Sequence, residues 1–205
     1  MYTALNRPIN SKYKDALFEL IKDKGIVIKD VVLSSGETSK YYYDLKRVVL
    51  TPTGSDLIGK LLLQEVLQFE DVKSIGGLEV GATLIAPLIT LKSSESQLLD
   101  AFFVRKSAKK HGLEKEIEGN LIDPAVIVDD VITTGKSVLQ TLDKIKQENT
   151  KVNGIVCIID REEGAKELFD KRGVPFISLF KHSDFKDYIN SRLNLQNPDV
   201  EVSYQ

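Results

Sequence analysis

The chain has 205 residues, 42% hydrophobic and 28% charged, with 28 Lys and Arg against 30 Asp and Glu and a formal net charge of −2. That is enough for one globular domain with a sizeable core. It gives no global basic field for nucleic acid, and no apolar stretch is long enough to span a bilayer. The lone cysteine, Cys157, rules out a disulfide framework within the chain and fits a reducing cytosol. With no apolar signal core in MYTALNRPINSKYKD, the protein is expected to be cytoplasmic and soluble, with neither nucleic-acid nor membrane partners.

Along the chain, Ala16, Leu17, Leu20 and Ile21, closed by Gly25, predict an amphipathic N-terminal helix. IVIKDVVLSSG and KYYYDLKRVVL are β-branched and aromatic runs around a Gly/Ser/Thr turn, which reads as a hairpin. Thr51-Pro52 looks like an N-cap followed by proline at the first helical position, and Ile58, Leu61, Leu62, Val66 and Phe69 supply that helix's buried face. Apolar strand candidates then recur around 73–76, 100–104, 125–128, 152–159 and 174–179. Each gap carries a helical pattern except 107–121, which is polar. This rhythm predicts an α/β fold, a central mostly parallel sheet flanked by helices. Residues 1–50 are expected as a small N-terminal hood within a single domain, 1–205. Cys157, inside Ile155-Val156-Cys157-Ile158-Ile159, reads as a buried small hydrophobe.

The stretch VIVDDVITTGKS, 126–137, carries the chemistry. Its Gly135-Lys136-Ser137 ending matches a triphosphate P-loop, but that motif needs glycine five positions earlier, where Asp130 stands. A buried strand leading through Thr133, Thr134 and Gly135 into the stripe Val138, Leu142, Ile145 instead puts a turn at a strand's carboxyl end and a helix start. Free amides there, with the hydroxyls of Thr133, Thr134 and Ser137, suit a phosphate monoester. Asp129 and Asp130 accept only, so they suit sugar hydroxyls or a hydrated Mg²⁺. A ribose 5-phosphate satisfies the whole stretch.

Upstream, FFVRKSAKKHGLEKEIEGN places Arg105, Lys106, Lys109, Lys110 and Lys115 against one acid, Glu114, within residues 105–115. A long polar loop of this kind is a candidate lid, expected to be mobile over 107–119. Downstream, Asp160 and Glu163 read as a capping box that leaves Arg161 exposed in a first helical turn.

VIVDDVITTGKS resembles the phosphoribosyl-pyrophosphate (PRPP) motif of type I phosphoribosyltransferases. RKSAKKHG is similar to the mobile catalytic loop of the orotate phosphoribosyltransferase family. SGETSKYYYDLK, GGLEVGATLIAP and DREEG resemble that family's segments in the same order, so the similarity runs from about residue 30 to 165. The resemblance implies the type I phosphoribosyltransferase fold and transfer of a phosphoribosyl group from PRPP to orotate, giving orotidine 5′-monophosphate and pyrophosphate in pyrimidine biosynthesis. On that basis Asp129 and Asp130 take the ribose hydroxyls. The PRPP site continues through Val131, Ile132, Thr133, Thr134, Gly135, Lys136 and Ser137, with the 5′-phosphate on the turn. Arg105, Lys106, Lys109 and His111 would bind pyrophosphate, Lys109 as the catalytic cation and His111 as a proton or hydrogen-bond donor. Arg161 would bind the orotate carboxylate, Thr133 would contact the ring, and Tyr42 and Tyr43 would lie near the base.

The resemblance also implies Mg²⁺ on the pyrophosphate, held through substrate oxygens and water. It further implies a homodimer whose loop 107–119 completes the neighbouring site. Two positions depart from bacterial members, Ser34 and Val80, where lysines that contact PRPP stand in those enzymes. The alternatives are a purine or uracil phosphoribosyltransferase, against which a carboxylate-binding Arg161 discriminates, and a PRPP-binding transcriptional regulator of the same fold.

Overall fold

The computed structural model describes residues 11–32, 38–93, 97–106 and 116–196. Helix α1 (Ser11–Leu20) runs through a π-helical turn at Ile21–Gly25 into β1 (Ile26–Val32), which pairs antiparallel with β2 (Thr38–Tyr43). The register sets Tyr43 opposite Ile26 and Tyr41 opposite Ile28. KYYYDLKRVVL does not continue as strand. Its second half coils into the short α2 (Lys46–Val49), which turns Val48 and Val49 into the core. As predicted, Thr51 caps α3 (Pro52–Val66), its Oγ1 accepting from the Gly54 amide at 3.0 Å, with Pro52 opening the helix.

Strand and helix then alternate: β3 (Ser74–Leu78), α4 (Gly81–Lys92), β4 (Asp100–Val104), β5 (Ile117–Gly119), β6 (Ala125–Ile132), α5 (Lys136–Gln147), β7 (Val152–Asp160), α6 (Ala165–Asp170), β8 (Phe176–Lys181) and α7 (His182–Gln196). The sheet order is β5-β4-β3-β6-β7-β8, parallel throughout except for the edge strand β5. Alternation divides the core between the two faces. Val126 and Val128 join α3 and α4 on one side, while Ala125 and Ile127 join α5 and α6 on the other.

Two boundaries differ from the sequence reading. β6 runs on to Ile132, paired with β7 as far as Ile132↔Asp160, so Asp129 and Asp130 are strand residues and not part of the turn. Residues 117–119 pair with β4, so one stem of the polar loop is a strand, because Ile117 packs into the core behind it. Lys109, Lys110, His111 and Ser34 lie outside the described residues.

α7 packs under the hairpin, with Phe18 and Phe185 stacked at 4.6 Å and the Tyr188 hydroxyl donating to the Lys22 carbonyl at 2.8 Å. No described helix is long and apolar enough to cross a membrane.

Candidate active site

β3 and β6 pair only as far as Gly76↔Ile127, while each runs on past that point. The chain steps from β3 outward to β4, then returns to lay β6 on β3's other side, so this divergence is the topological switch point where open α/β sheets bind ligands. Asp129 and Asp130 stand on one wall and Gly81, at the start of α4, on the other. A Cβ on Gly81 would lie 2.3 Å from Asp129 Oδ1 and 2.7 Å from Asp130 Oδ1. Only glycine lets the two walls approach this closely.

Each acid already accepts one backbone amide at 2.9 Å, Asp129 from Asp130 and Asp130 from Val131, which fixes their orientation. Burial, and next the charge of Asp130, push the Asp129 carboxyl well above the ordinary carboxylate range, and the charge of Lys106 only partly offsets this. Lys106 is held at the crevice mouth by its own amide, which donates to Glu79 Oε1 at 2.9 Å.

The Thr/Gly turn expected to hold phosphate follows β6. Gly135 adopts φ +77, and a Cβ there would meet the Phe169 ring at 2.7 Å. No side chain caps α5, so its first amides remain available to an anion. Thr133 and Thr134 are half-buried, Lys136 and Ser137 exposed. Ile132 is buried and serves through its backbone, its carbonyl accepting from the Arg161 amide at 2.9 Å. A cavity of about 270 Å³ opens beside the first turns of α5, lined by Arg105, Lys106, Lys144 and Ser137 among others. Arg105 pairs with Glu118 at 3.0 Å, and Lys144 donates to the Arg105 carbonyl at 3.2 Å and to Glu116 at 3.1 Å. Both stems of the polar loop are thereby tied to α5.

Arg161 directly follows β7, one strand over. The capping-box reading does not hold here. α6 begins only at Ala165, Asp160 accepts from the Glu162 amide at 2.8 Å, and Arg161 is 7% exposed. Its Nε donates to Glu163 at 2.7 Å, and its Nη2 to the Tyr41 hydroxyl at 3.3 Å. The tyrosine run divides by strand alternation. Tyr41 and Tyr43 face this cluster, while Tyr42, 39% exposed, faces away and lies under Lys46, whose Nζ is 5.9 Å from its ring centroid.

Lys46 also pairs with Asp44 at 3.3 Å. Burial opposes its charge, but Tyr42, Asp44 and more weakly Asp130 together hold its pKa above the ordinary lysine value. Lys46 thus stands near enough to Asp130 to feel its charge, beside a crevice in which Val80, 56% exposed, offers no cation. Sequence reasoning missed Lys46, Gly81, Glu79 and Tyr41. Period-two alternation in Tyr41-Tyr42-Tyr43 was a usable signal for Tyr41, and for the others none was local.

Residues 99–185 match the model of the phosphoribosyl transferase domain family. The orotate phosphoribosyltransferase of Aquifex aeolicus is 38% identical over 178 residues, 83% of this chain and 96% of its own. That of Corynebacterium glutamicum is 36% identical, over 86% of this chain and 95% of its own. The structure of Mycobacterium tuberculosis orotate phosphoribosyltransferase in complex with PRPP superposes with a TM-score of 0.70 and 31% identity, covering 85% of this chain and 99% of that one. With the acid pair and phosphate turn at a switch point and a likeness spanning most of both chains, this protein belongs to the orotate phosphoribosyltransferase family.

Proposed function

We propose that the protein transfers the phosphoribosyl group of PRPP to orotate, releasing pyrophosphate and forming orotidine 5′-monophosphate for pyrimidine biosynthesis. The observation that carries this reading is the bond from the Arg161 amide to the Ile132 carbonyl, 2.9 Å. It sets a buried guanidinium one strand from an acid pair that leads into a phosphate turn. A planar anion with a carboxylate needs such a fork, and a neutral purine or uracil does not.

In this reading the α5 amides with Thr133, Thr134 and Ser137 hold the 5′-phosphate, and Asp129 and Asp130 accept from the ribose hydroxyls. The bond from the anomeric carbon to pyrophosphate breaks with its electron pair leaving on oxygen, and a ring nitrogen of orotate supplies the pair for the new bond as its N–H proton passes to the released pyrophosphate or to water. The two carboxylates favour the positive charge that builds on the ribose, and Lys109, with Arg105, Lys106 and His111, meets the charge growing on the leaving oxygen. Thr133 and Tyr43 border the base end, and Tyr42 with Lys46 the hairpin side.

Among the described residues no group of three or more His, Cys, Asp or Glu is arranged to hold a metal ion. In this reading a Mg²⁺ takes its ligands chiefly from pyrophosphate and water, and when bound it neutralises leaving-group charge. The loop at 107–119 is proposed to complete the partner's site in a homodimer, reciprocally across a two-fold axis.

The test is a spectrophotometric assay with orotate, PRPP and Mg²⁺, with adenine, hypoxanthine and uracil as controls. PRPP-dependent loss of orotate alone is expected. Turnover of another base in its place would move the reading to that base, and PRPP binding without any turnover would favour a regulator.

A further inference from the structure

Of the chain's two histidines, His182 falls in the described part, as the first residue of α7. It is not a core histidine. Its ring lies parallel to that of Tyr41, with centroids 5.2 Å apart and an interplanar angle of 3°. The Tyr41 oxygen is 3.4 Å from both ring nitrogens, which places it over the imidazole face and not in its plane. Nδ1 is also 2.9 Å from the Tyr43 hydroxyl. Burial pushes the Tyr43 phenol far above its usual range, so that hydroxyl stays protonated and can donate a hydrogen bond to Nδ1 of a neutral ring whose own proton sits on Nε2. Burial, with Arg161 next, pushes His182 down, which favours the neutral ring that such a bond requires.

The chain segment carrying Arg161 is tied to the same corner, because Glu162 Oε2 accepts the Ser183 amide at 2.8 Å.

Tyr41 links this ring to Arg161. The guanidinium carbon lies 5.2 Å from the Tyr41 centroid, and Nη2 donates to the Tyr41 hydroxyl. Glu163 takes Nε. Of the five N–H donors a guanidinium owns, two are thus engaged and three remain, both Nη1 hydrogens among them. Which way that free edge faces depends on where Tyr41 sits. Tyr41 is a strand residue near the open end of a two-stranded hairpin; its ring packs on the core at one side, and His182 and Tyr43 are the aromatic rings that border it on the side of Arg161.

We infer that His182 is a positioning residue for the base site: stacked on Tyr41 and pinned by Tyr43, it sets the orientation in which Arg161 presents its free edge to a carboxylate. The inference rests on the proposed role of Arg161. His182 itself touches no substrate.

The experiment measures KM for orotate, KM for PRPP and kcat in wild type, His182→Ala, His182→Phe and His182→Asn. His182→Ala and His182→Asn are repeated in an Arg161→Ala background. Losing an aromatic stack of this kind should raise the orotate KM about threefold to tenfold in His182→Ala and leave the PRPP KM unchanged. Phenylalanine keeps the stack but loses the Tyr43 bond and should raise the orotate KM less than alanine does, whereas asparagine keeps an acceptor without the stack and should behave like alanine. In the Arg161→Ala background the His182 change should have no further effect on orotate, since coupled residues are not additive.

An orotate KM within twofold of wild type in His182→Ala would overturn the inference. So would equal rises for both substrates, or additivity with Arg161→Ala. If the alanine variant does not fold, the Phe and Asn pair decides, and Asn performing better than Phe overturns it. A wild-type protein that does not use orotate would defeat the underlying reading of Arg161. Normal orotate use with indifferent His182 variants would defeat only this one.

Discussion

Replacing Gly81 with alanine tests whether the crevice walls must touch. The added methyl would sit 2.3 Å from Asp129 Oδ1 and 2.7 Å from Asp130 Oδ1, where ordinary contact begins at 3.4 Å. Something must give by 3.4 − 2.3, about 1.1 Å, and the atoms in the way are carboxylate oxygens at a crevice, each held by one amide bond. Moving them is easier than moving backbone, so stability should fall by roughly 1–2 kcal/mol, the lower part of the range for overpacking. Activity should fall much further, because a misplacement of about 1 Å at reacting groups costs on the order of a hundredfold. Steady-state kinetics should therefore show kcat/KM for PRPP down about a hundredfold in a protein whose thermal midpoint drops by only a few degrees. A Gly81→Ala protein within threefold of wild-type kcat/KM would refute the argument that these walls fit against one another. A collapse of stability without a separate kinetic loss would show that the methyl displaces α4 and not the acids.

Arg161→Ala should raise the orotate KM about tenfold to 150-fold, the equivalent of losing a charge-assisted bond worth roughly 1.5–3 kcal/mol, with little change for PRPP in initial-rate assays. Asp129→Asn should raise the unfolding midpoint while abolishing most turnover. The sign follows from Asp129's raised pKa. The folded carboxyl holds its proton more tightly than the unfolded one, so the folded state loses stability as pH rises from the ordinary aspartate value to the raised one. A neutral amide avoids that loss, and the advantage should vanish in melts below about pH 4. Mixing Lys109→Ala with Asp129→Asn/Asp130→Asn should restore up to about one quarter of wild-type activity after subunit exchange if the loop acts in trans, and none if it acts in cis. Cys157, fully buried with its thiol pushed upward by burial, should resist thiol reagents until the protein is denatured.

How much was legible follows from how local each signal is. The parallel sheet was readable because buried strands and their crossover helices each carry their own period, as Val126-Ile127-Val128 and Val138, Leu142, Ile145 do. The cap at Thr51 and the turn at Gly135 were readable because cap and turn chemistry is written within four residues. Arg161 was visible as a residue but not in its environment. It is bonded to Tyr41, 120 positions earlier, and no pattern within a strand announces a pairing at that range. Gly81 is similar, since its reason for being glycine is a pair of oxygens about fifty residues away. The end of β6 was misjudged because aspartates are poor strand formers. Pairing with β7 carries the strand through Asp129 and Asp130 regardless, and tertiary context overrides propensity there.

The acid pair and the cations around it also explain why the site is assembled from so many elements. Two carboxylates side by side, one of them strongly desolvated, repel each other, and the unliganded protein bears that cost. Lys106 from the β4 end and Lys46 from α2 each lower it from a different wall, but neither forms a salt bridge with Asp129 or Asp130, so the oxygens stay free to accept. A sugar diol donating to those oxygens relieves the remaining cost without neutralising them, which keeps their negative charge for the moment at which the ribose becomes cationic. A direct ion pair would have bought stability at the expense of that charge. Placing Lys46 on Asp44, and Lys106 by its amide on Glu79, keeps each cation near the crevice and away from the acids themselves.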